Sequence, residues 1–366
     1  MTDELTNKSE QREASGLTAV TLPEDLVIET SLRPKRFSDF VGQGRIKENL
    51  QIYVEAARRR GEALDHILLS GLPGLGKTTL AHIIGAEMGA RVVSTSGPAL
   101  DKPGDLAGLL TKLGEGDILF IDEIHRLSRV IEEFLYSAME DYEIDIVLDA
   151  GPAARSLKLR LKRFTLIGAT TREGLLTAPF RSRFGVRERL DPYPREELEA
   201  ILERSAGLLE VPLLGEAKAL VASCARGTPR IANRLLRRLR DVAEVRGDGE
   251  IDPAIARRGL EMLGIDETGL EDLDRQILAV LARHGGGPLG LKTIAVSVGE
   301  EEQTLEDVYE PFLIQQGLLL KTPRGRMLTS DGFRRLGVEE RARGFQAMLF
   351  EEGSGATGHI LDRDGS

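Results

Sequence analysis

Aromatic rings and cysteines are scarce in this chain. Of its 366 residues 4% are aromatic, none is tryptophan, and Cys224 is the single cysteine. One thiol forms neither an internal disulfide nor a cysteine-based zinc site, so Cys224 reads as a small buried hydrophobe in a reducing compartment. Few rings also means no platform on which successive single-stranded bases would stack. No apolar run approaches the roughly 18 residues of a membrane span, and Met1–Gly16 is polar and acidic, so neither a spanning helix nor a secretory signal is expected. The expectation is a soluble, cytoplasmic protein. Basic charge is short as well. A net charge of −10 excludes whole-surface attraction to nucleic acid, and any contact with phosphates must be local.

What is present is ample apolar material, 41% of the chain, and a length that exceeds one hydrophobic core. Residues 1–24 lack periodicity and read as a flexible arm. From Leu32 to Arg189 short apolar runs alternate with helical patterns. Ile67–Ser70, Arg91–Ser94, Ile118–Ile121 and Phe164–Gly168 read as strands buried on both faces, which indicates an α/β domain over 25–190 with a mostly parallel sheet. Inside it, 143–163 shows apolar residues at every second place on either side of Ala150-Gly-Pro152, the pattern of an inserted β-hairpin. After Pro192 and Pro194 the stripes take helical spacing, giving a small all-α domain over 191–264. Residues 265–338 read as three helices followed by two short strands around Thr322-Pro-Arg-Gly325, the winged-helix plan, which usually meets duplex DNA. The end, 339–366, reads as a disordered acidic tail.

Gly71-Leu-Pro-Gly-Leu-Gly-Lys-Thr78 matches the P-loop pattern and sits between a predicted strand and a predicted helix. Its amides around Gly74 and Gly76, with Thr79 behind them, wrap phosphates; Lys77 reaches the β and γ oxygens, and the Thr78 hydroxyl ligates Mg²⁺. Ile118-Leu-Phe-Ile-Asp-Glu123 supplies the second half of an ATP-hydrolysing site. Asp122 holds the metal's water shell, and Glu123 orients the attacking water. His125, two residues on, reads as a satisfied surface histidine.

The order and spacing of the P-loop, Asp122-Glu-Ile-His-Arg126, Gly168-Ala-Thr-Thr-Arg172, Ser182-Arg-Phe-Gly185 and Gly227-Thr-Pro-Arg-Ile-Ala-Asn-Arg234 resemble the AAA+ ATPases. Leu32-Arg-Pro-Lys35, Thr95-Ser-Gly-Pro98, Met139-Glu-Asp-Tyr142, Gly151-Pro-Ala-Ala-Arg-Ser156 and Thr322-Pro-Arg-Gly-Arg-Met327 narrow the likeness, from about Leu22 to Gly337, to the RuvB family of Holliday-junction branch-migration ATPases. That resemblance implies a AAA+ sheet domain, an all-α lid and a C-terminal winged-helix head. It also implies a hexameric ring that moves duplex DNA with RuvA on the four-way junction, with RuvC as a further partner, in recombination, repair and the SOS response. Thr171, beside Thr170, matches the sensor that reads the γ-phosphate. Arg183 matches the arginine finger, which reaches the neighbouring subunit's nucleotide, and Arg230 the second sensor. Around base and ribose the resemblance implies Leu32, Arg33, Glu140, Asp141, Tyr142 and Tyr193.

On the predicted wing Lys321, Arg324 and Arg326 cluster, with Arg334 and Arg335 behind them, and are expected to contact DNA phosphates without reading sequence. Two residues depart from the family pattern. Glu302 stands where a basic residue is common, and Leu72 replaces the usual P-loop proline with little expected effect. Ile144, Ile146 and Leu148 are expected on one exposed face of the hairpin, an apolar partner surface, and the resemblance implies RuvA as that partner. A clamp-loader-like switch is the alternative, since it shares the ATPase motifs, but it leaves the wing and the hairpin without a use. A purely regulatory DNA-binding protein conflicts with intact Asp122, Glu123 and Arg183.

Overall fold

The computed structural model describes residues 31–147 and 156–338. The arm expected over 1–24, the tail expected over 339–366 and Leu148 fall outside the described residues. Two compact units divide the described chain, one ending at Gly259 and the other beginning at Leu260.

In the first unit, five strands pair in the order β2-β3-β6-β1-β7, and every pairing is parallel. They are β1 (Ile67–Ser70), β2 (Val92–Ser96), β3 (Ile118–Asp122), β6 (Thr165–Thr170) and β7 (Val186–Arg189). The continuous apolar runs of β1 and β6 are buried throughout, as strands covered on both faces must be. β2 differs from expectation: it is half-buried because it lies at the sheet edge. The other edge, β7, was not foreseen. Its Val-Arg-Glu-Arg alternation buries alternate residues and carries no apolar run.

Helix α1 (Gly44–Arg60) lays Ile46, Leu50, Val54 and Ala57 inward at three- and four-residue spacing and stops at Gly61, whose φ of +67° a side chain would strain. Helix α2 (Lys77–Met88) leaves directly from the P-loop after β1. Helix α3 (Pro103–Leu110) and α4 (Arg129–Glu140) cover the sheet, and Ser128 caps α4 by accepting from the Ile131 amide. The short α5 (Ala178–Arg181) precedes β7. Four further helices follow: α6 (Arg195–Leu208), α7 (Gly215–Cys224), α8 (Pro229–Arg246) and α9 (Pro253–Met262). Cys224 is buried at the end of α7.

The hairpin strands β4 (Glu143–Val147) and β5 (Ser156–Arg160) pair antiparallel, Ile144 opposite Leu159 and Ile146 opposite Leu157. Here the expectation of an exposed apolar face fails at Ile144. That residue is 1% exposed and belongs to the core that contains Phe164, Leu135 and Met139, because the hairpin's base rests on the domain. Leu157, two residues further out than Leu159, emerges into solvent.

At the opposite end of the sheet from the P-loop, His66 is buried with its Nδ1 accepting from the Leu166 amide at 2.9 Å and its Nε2 donating to the Met139 carbonyl at 3.2 Å. Burial holds its pKa below the ordinary 6.5, against the opposing pull of the Met139 carbonyl and Asp65. The unfolded chain therefore takes up a proton more readily. Stability should be full above 6.5 and fall as pH drops below it, by at most about 1.4 kcal/mol per pH unit from this one group. Thermal melts between pH 7.5 and 5.5 should show a steeper decline for the wild type than for His66→Gln; parallel curves would contradict it.

The second unit packs α10 (Asp272–Arg283), α11 (Leu291–Val298) and an interrupted helix built from Glu302–Thr304, a π turn at Leu305–Tyr309 and Glu310–Gln315 around a shared apolar core. Pro311 has no amide to donate to the previous turn, so the π register falls just before it. Then come β8 (Leu319–Thr322) and β9 (Gly325–Leu328), antiparallel, and a closing helix, Ser330–Leu336, that was not foreseen. Three helical elements and a two-stranded wing agree with the expected winged-helix plan.

Candidate nucleotide-binding site

The C-terminal end of β1 opens into a cleft of about 380 Å³ lined by the P-loop, the start of α2, the end of β3, the segment 32–41 and the helices α6 and α8. Gly71, Gly74 and Gly76 take positive φ, which lets the loop turn tightly; the Gly71 amide donates to the Thr170 carbonyl at 3.2 Å, while Gly74 and Gly76 line the cleft. A Cβ on Gly74 would lie 2.7 Å from Thr228 and 2.9 Å from Arg230, so α8 approaches the loop too closely for any side chain there.

Lys77 is buried, and its Nζ donates to the carbonyls of Gly71 at 2.8 Å and Leu72 at 2.9 Å. Burial lowers its pKa, while Asp122 and Glu123 push it back up. A buried ammonium held by loop carbonyls is poised to exchange those weak acceptors for phosphate oxygens. Thr78 Oγ1 lies 3.4 Å from Asp122 Oδ2, a pair of hard oxygens beside the loop. Among the described residues no cluster of three or more His, Cys, Asp or Glu side chains could hold a metal alone. Two oxygens beside a phosphate cradle suit Mg²⁺, which keeps waters and borrows phosphate ligands.

Glu123 follows at φ +48°, and its Oε2 accepts from Thr171 Oγ1 at 3.3 Å and lies 3.2 Å from His125 Nδ1. Thr170 is fully buried and bonds His125 Nδ1 at 2.9 Å. His125 is therefore not the surface histidine expected: its side chain is 6% exposed and sits between the carboxylate and the end of β6.

Leu32, Arg33, Thr79, Tyr193 and Arg230 all line the cleft as expected. The Tyr193 hydroxyl donates to the Leu75 carbonyl at 3.2 Å, and burial, with Glu197 nearby, raises its pKa so that it stays a donor. Asp39, Phe40, Val41, Ile201, Arg204, Ser205 and Asn233 line it too and were missed. Their signal was weak, since only proximity in three dimensions brings α6 and the 37–41 turn to the P-loop.

Glu140, Asp141 and Tyr142 do not join the cleft. Tyr142 packs edge-on against Phe164 and near His66, at the N-terminal ends of β6 and β1, and Arg163 lies over its ring. The length of β1, about 13 Å for four residues, separates that end from the P-loop. The chain goes there because α4 ends at Glu140 and Tyr142 turns with φ +53° into β4. Arg183 is also outside the cleft. Its guanidinium stacks on Tyr136, 4.3 Å from the ring centroid, with Nη1 donating to the Pro179 carbonyl at 2.7 Å and Nη2 to Glu140 at 3.2 Å.

The basic cluster on the wing is largely neutralised. Lys321 pairs with Glu306 at 2.8 Å, and Arg326, 12% exposed, pairs with the buried Glu310. Arg334 and Arg335 pair with Asp331 and Asp266. Arg324, at the turn between β8 and β9, is exposed and has no ion pair among the described residues.

A parallel sheet with a P-loop, an adjacent acidic strand end and a helical lid that closes the same cleft defines a P-loop ATPase of the AAA+ class, here continued by a winged helix. Known proteins narrow the class. Residues 32–190 match the Holliday junction DNA helicase RuvB P-loop domain, 193–266 the RuvB AAA lid domain, and 267–337 the RuvB C-terminal winged helix domain. The Holliday junction branch migration complex subunit RuvB of Myxococcus xanthus (strain DK1622) is 59% identical over 319 residues, 87% of this chain and 93% of that one. The same subunit of Chlorobaculum tepidum is 60% identical over 302 residues, 82% of this chain and 88% of the relative. A structure of the Thermotoga maritima RuvB Holliday junction branch migration motor superposes with TM-score 0.77 at 48% identity, over 84% of this chain and 99% of that one. The chain belongs to the RuvB family.

Proposed function

We propose that this protein is an ATP-driven ring motor that translocates duplex DNA and, with RuvA, drives branch migration of Holliday junctions in recombination and repair. The observation that carries the reading is one chain holding both a cleft that joins P-loop, Asp122, Glu123 and Arg230 and a winged helix whose turn presents an arginine without an ion pair among the described residues. In this reading ATP lies along the P-loop with Lys77 on its β and γ oxygens. Thr78 and Asp122 would hold Mg²⁺, which would offset phosphate charge. Glu123 directs the attacking water, steadied by Thr171 and His125, while Arg230 carries the nucleotide state into α8. Arg183 serves the neighbouring subunit's nucleotide, and Glu140 accompanies it there. Residues 185–195 form the pivot between sheet domain and lid. The ring is a homohexamer working in the cytoplasm, with RuvC acting on the same junction and expression tied to the SOS response. Ile146, Leu157 and Leu148 carry the RuvA-facing apolar surface, and Ile144 anchors its base.

Strand exchange on a labelled synthetic four-way junction tests this, with and without RuvA and with Lys77→Ala as the blank. ATP-dependent separation that requires RuvA is the expected result. Hydrolysis without any movement of the junction would turn the reading toward a clamp-loader-like switch.

On DNA, Arg324 meets the phosphate that Lys321 and Arg326 are too engaged to reach. Arg324→Ala should weaken duplex binding and reduce the log–log salt slope by about 0.9 for each phosphate the arginine neutralises. Lys321→Ala should move both far less. A slope unchanged by Arg324→Ala, measured by fluorescence anisotropy across salt, would remove the wing from the DNA interface.

A further inference from the structure

The lid side of the cleft carries two polar atoms that the described chain leaves without partners. Ser205, on α6, is 1% exposed and its Oγ makes no hydrogen bond among the described residues. A serine within a helix ordinarily donates to the carbonyl one turn back, here Ile201, and this one does not. Asn233, on α8 one turn beyond Arg230, has a buried Oδ1 that is likewise unsatisfied. Both residues line the nucleotide cleft. Buried polar atoms are nearly always paired, and one left orphaned in a binding cleft is explained by a partner that arrives with the ligand.

The surroundings say which part of the ligand. Lys77, Thr78 and the P-loop amides occupy the phosphate end. The neighbouring wall is apolar, formed by the buried Leu32 and Tyr193 with Val41 and Ile201. Arg204, adjacent to Ser205, donates to the Leu32 carbonyl at 2.8 Å and ties α6 to the segment that carries Leu32. Apolar walls with a few fixed polar groups suit a planar heteroaromatic base, whose ring is stacked and whose edge is read by hydrogen bonds. The Asn233 orphan is an acceptor, and a phosphate, whose ionised oxygens only accept, cannot satisfy it.

Resting on the reading of this cleft as the ATP site, we infer that Ser205 and Asn233 are its base-reading groups. The Asn233 oxygen accepts from the exocyclic amine of adenine, and the Ser205 hydroxyl donates to the adjacent ring nitrogen N1, which in hypoxanthine carries a proton and cannot accept. A 6-oxo purine puts an acceptor in place of that amine, against the Asn233 oxygen. The lid helices that move with nucleotide state thereby also check which nucleotide is bound.

The test uses the full chain and measures the affinities of ADP and inosine diphosphate by calorimetry, with thermal melts of ligand-free protein. Wild type should prefer ADP. Ser205→Ala and Asn233→Ala should each weaken ADP by about three- to tenfold, the range expected for one neutral hydrogen bond, and change inosine diphosphate by less than twofold. Because neither atom has a partner to lose, the ligand-free melting temperature should hold or rise. Equal weakening of both nucleotides, or a fall in the ligand-free melt, would assign the residues to packing and overturn the inference. Wild-type binding of ADP that Lys77→Ala does not affect would overturn the reading of the cleft itself, and the inference with it. Binding that depends on Lys77, joined to unchanged base preference in both variants, would overturn the inference alone.

Discussion

Arg183→Ala should reduce steady-state ATP turnover by about 10³-fold or more while leaving nucleotide affinity close to that of the wild type. The expectation rests on where the structure keeps this side chain. Arg183 is absent from the wall of its own subunit's cleft and sits in a cradle on the domain surface, stacked on Tyr136 and bonded to Pro179 and Glu140. Tyr136 is itself fixed, its hydroxyl 2.9 Å from Thr177 Oγ1, which bonds the buried Glu132. A guanidinium is fully ionised at any pH the protein survives, so holding it in a set plane positions a charge without having to create one. If that charge completes the neighbour's site, turnover needs two subunits. Mixing Lys77→Ala protein, which supplies an intact finger, with Arg183→Ala protein, which supplies an intact cleft, should restore a measurable part of the rate that neither has alone. Failure of the mixture to recover any activity, with both variants still assembling, would place the function of Arg183 within its own subunit.

The same residue shows what a linear sequence can and cannot disclose. The P-loop is legible because its chemistry is local: eight consecutive residues carry the turn, the amides, the lysine and the hydroxyl. Asp122 and Glu123 are legible for a similar reason, since an apolar strand that ends in two carboxylates places both at the C-terminal end of the parallel sheet. Ile144 was misread because period-two alternation reveals that a strand has an apolar face without saying what that face meets. At the hairpin's base it meets Phe164 and Leu135; on the partner strand, two residues beyond Leu159, Leu157 meets water. Glu140–Tyr142 differ again, because motif adjacency is not spatial adjacency: one positive-φ turn carries the chain to the end of the sheet away from its own subunit's cleft. On the wing the sequence shows the cations and hides their partners. Lys321 and Arg326 look like a basic patch until Glu306 and Glu310, a helix away in sequence, are found against them. Ser205 has no motif around it and Asn233 only its place in the 227–234 motif, since an unpaired buried oxygen exists only in three dimensions.

Glu123→Gln should separate binding from hydrolysis more cleanly than any other substitution at the site. The glutamate leaves β3 at φ +48°, and its own amide donates to Asp122 Oδ1 at 2.9 Å, so the backbone there is fixed by the neighbouring carboxylate. Glutamine preserves the shape and still accepts from Thr171 Oγ1, which now lies 3.3 Å from the carboxylate. What it loses is the capacity to take a proton from water, a loss that typically costs about 10²- to 10⁴-fold in rate. Lys77, Thr78 and Asp122 are untouched, so ATP should bind with affinity within a few-fold of wild type and remain unhydrolysed. Asp122→Asn should behave in the opposite way, weakening nucleotide binding in magnesium buffer, because its oxygen faces Thr78 and not the water-directing group. Single-turnover hydrolysis alongside equilibrium binding distinguishes the two. A Glu123→Gln protein that hydrolyses ATP within tenfold of the wild-type rate would show that the water is activated elsewhere. His125, 3.2 Å from the same carboxylate and bonded to Thr170, is then the next group to replace.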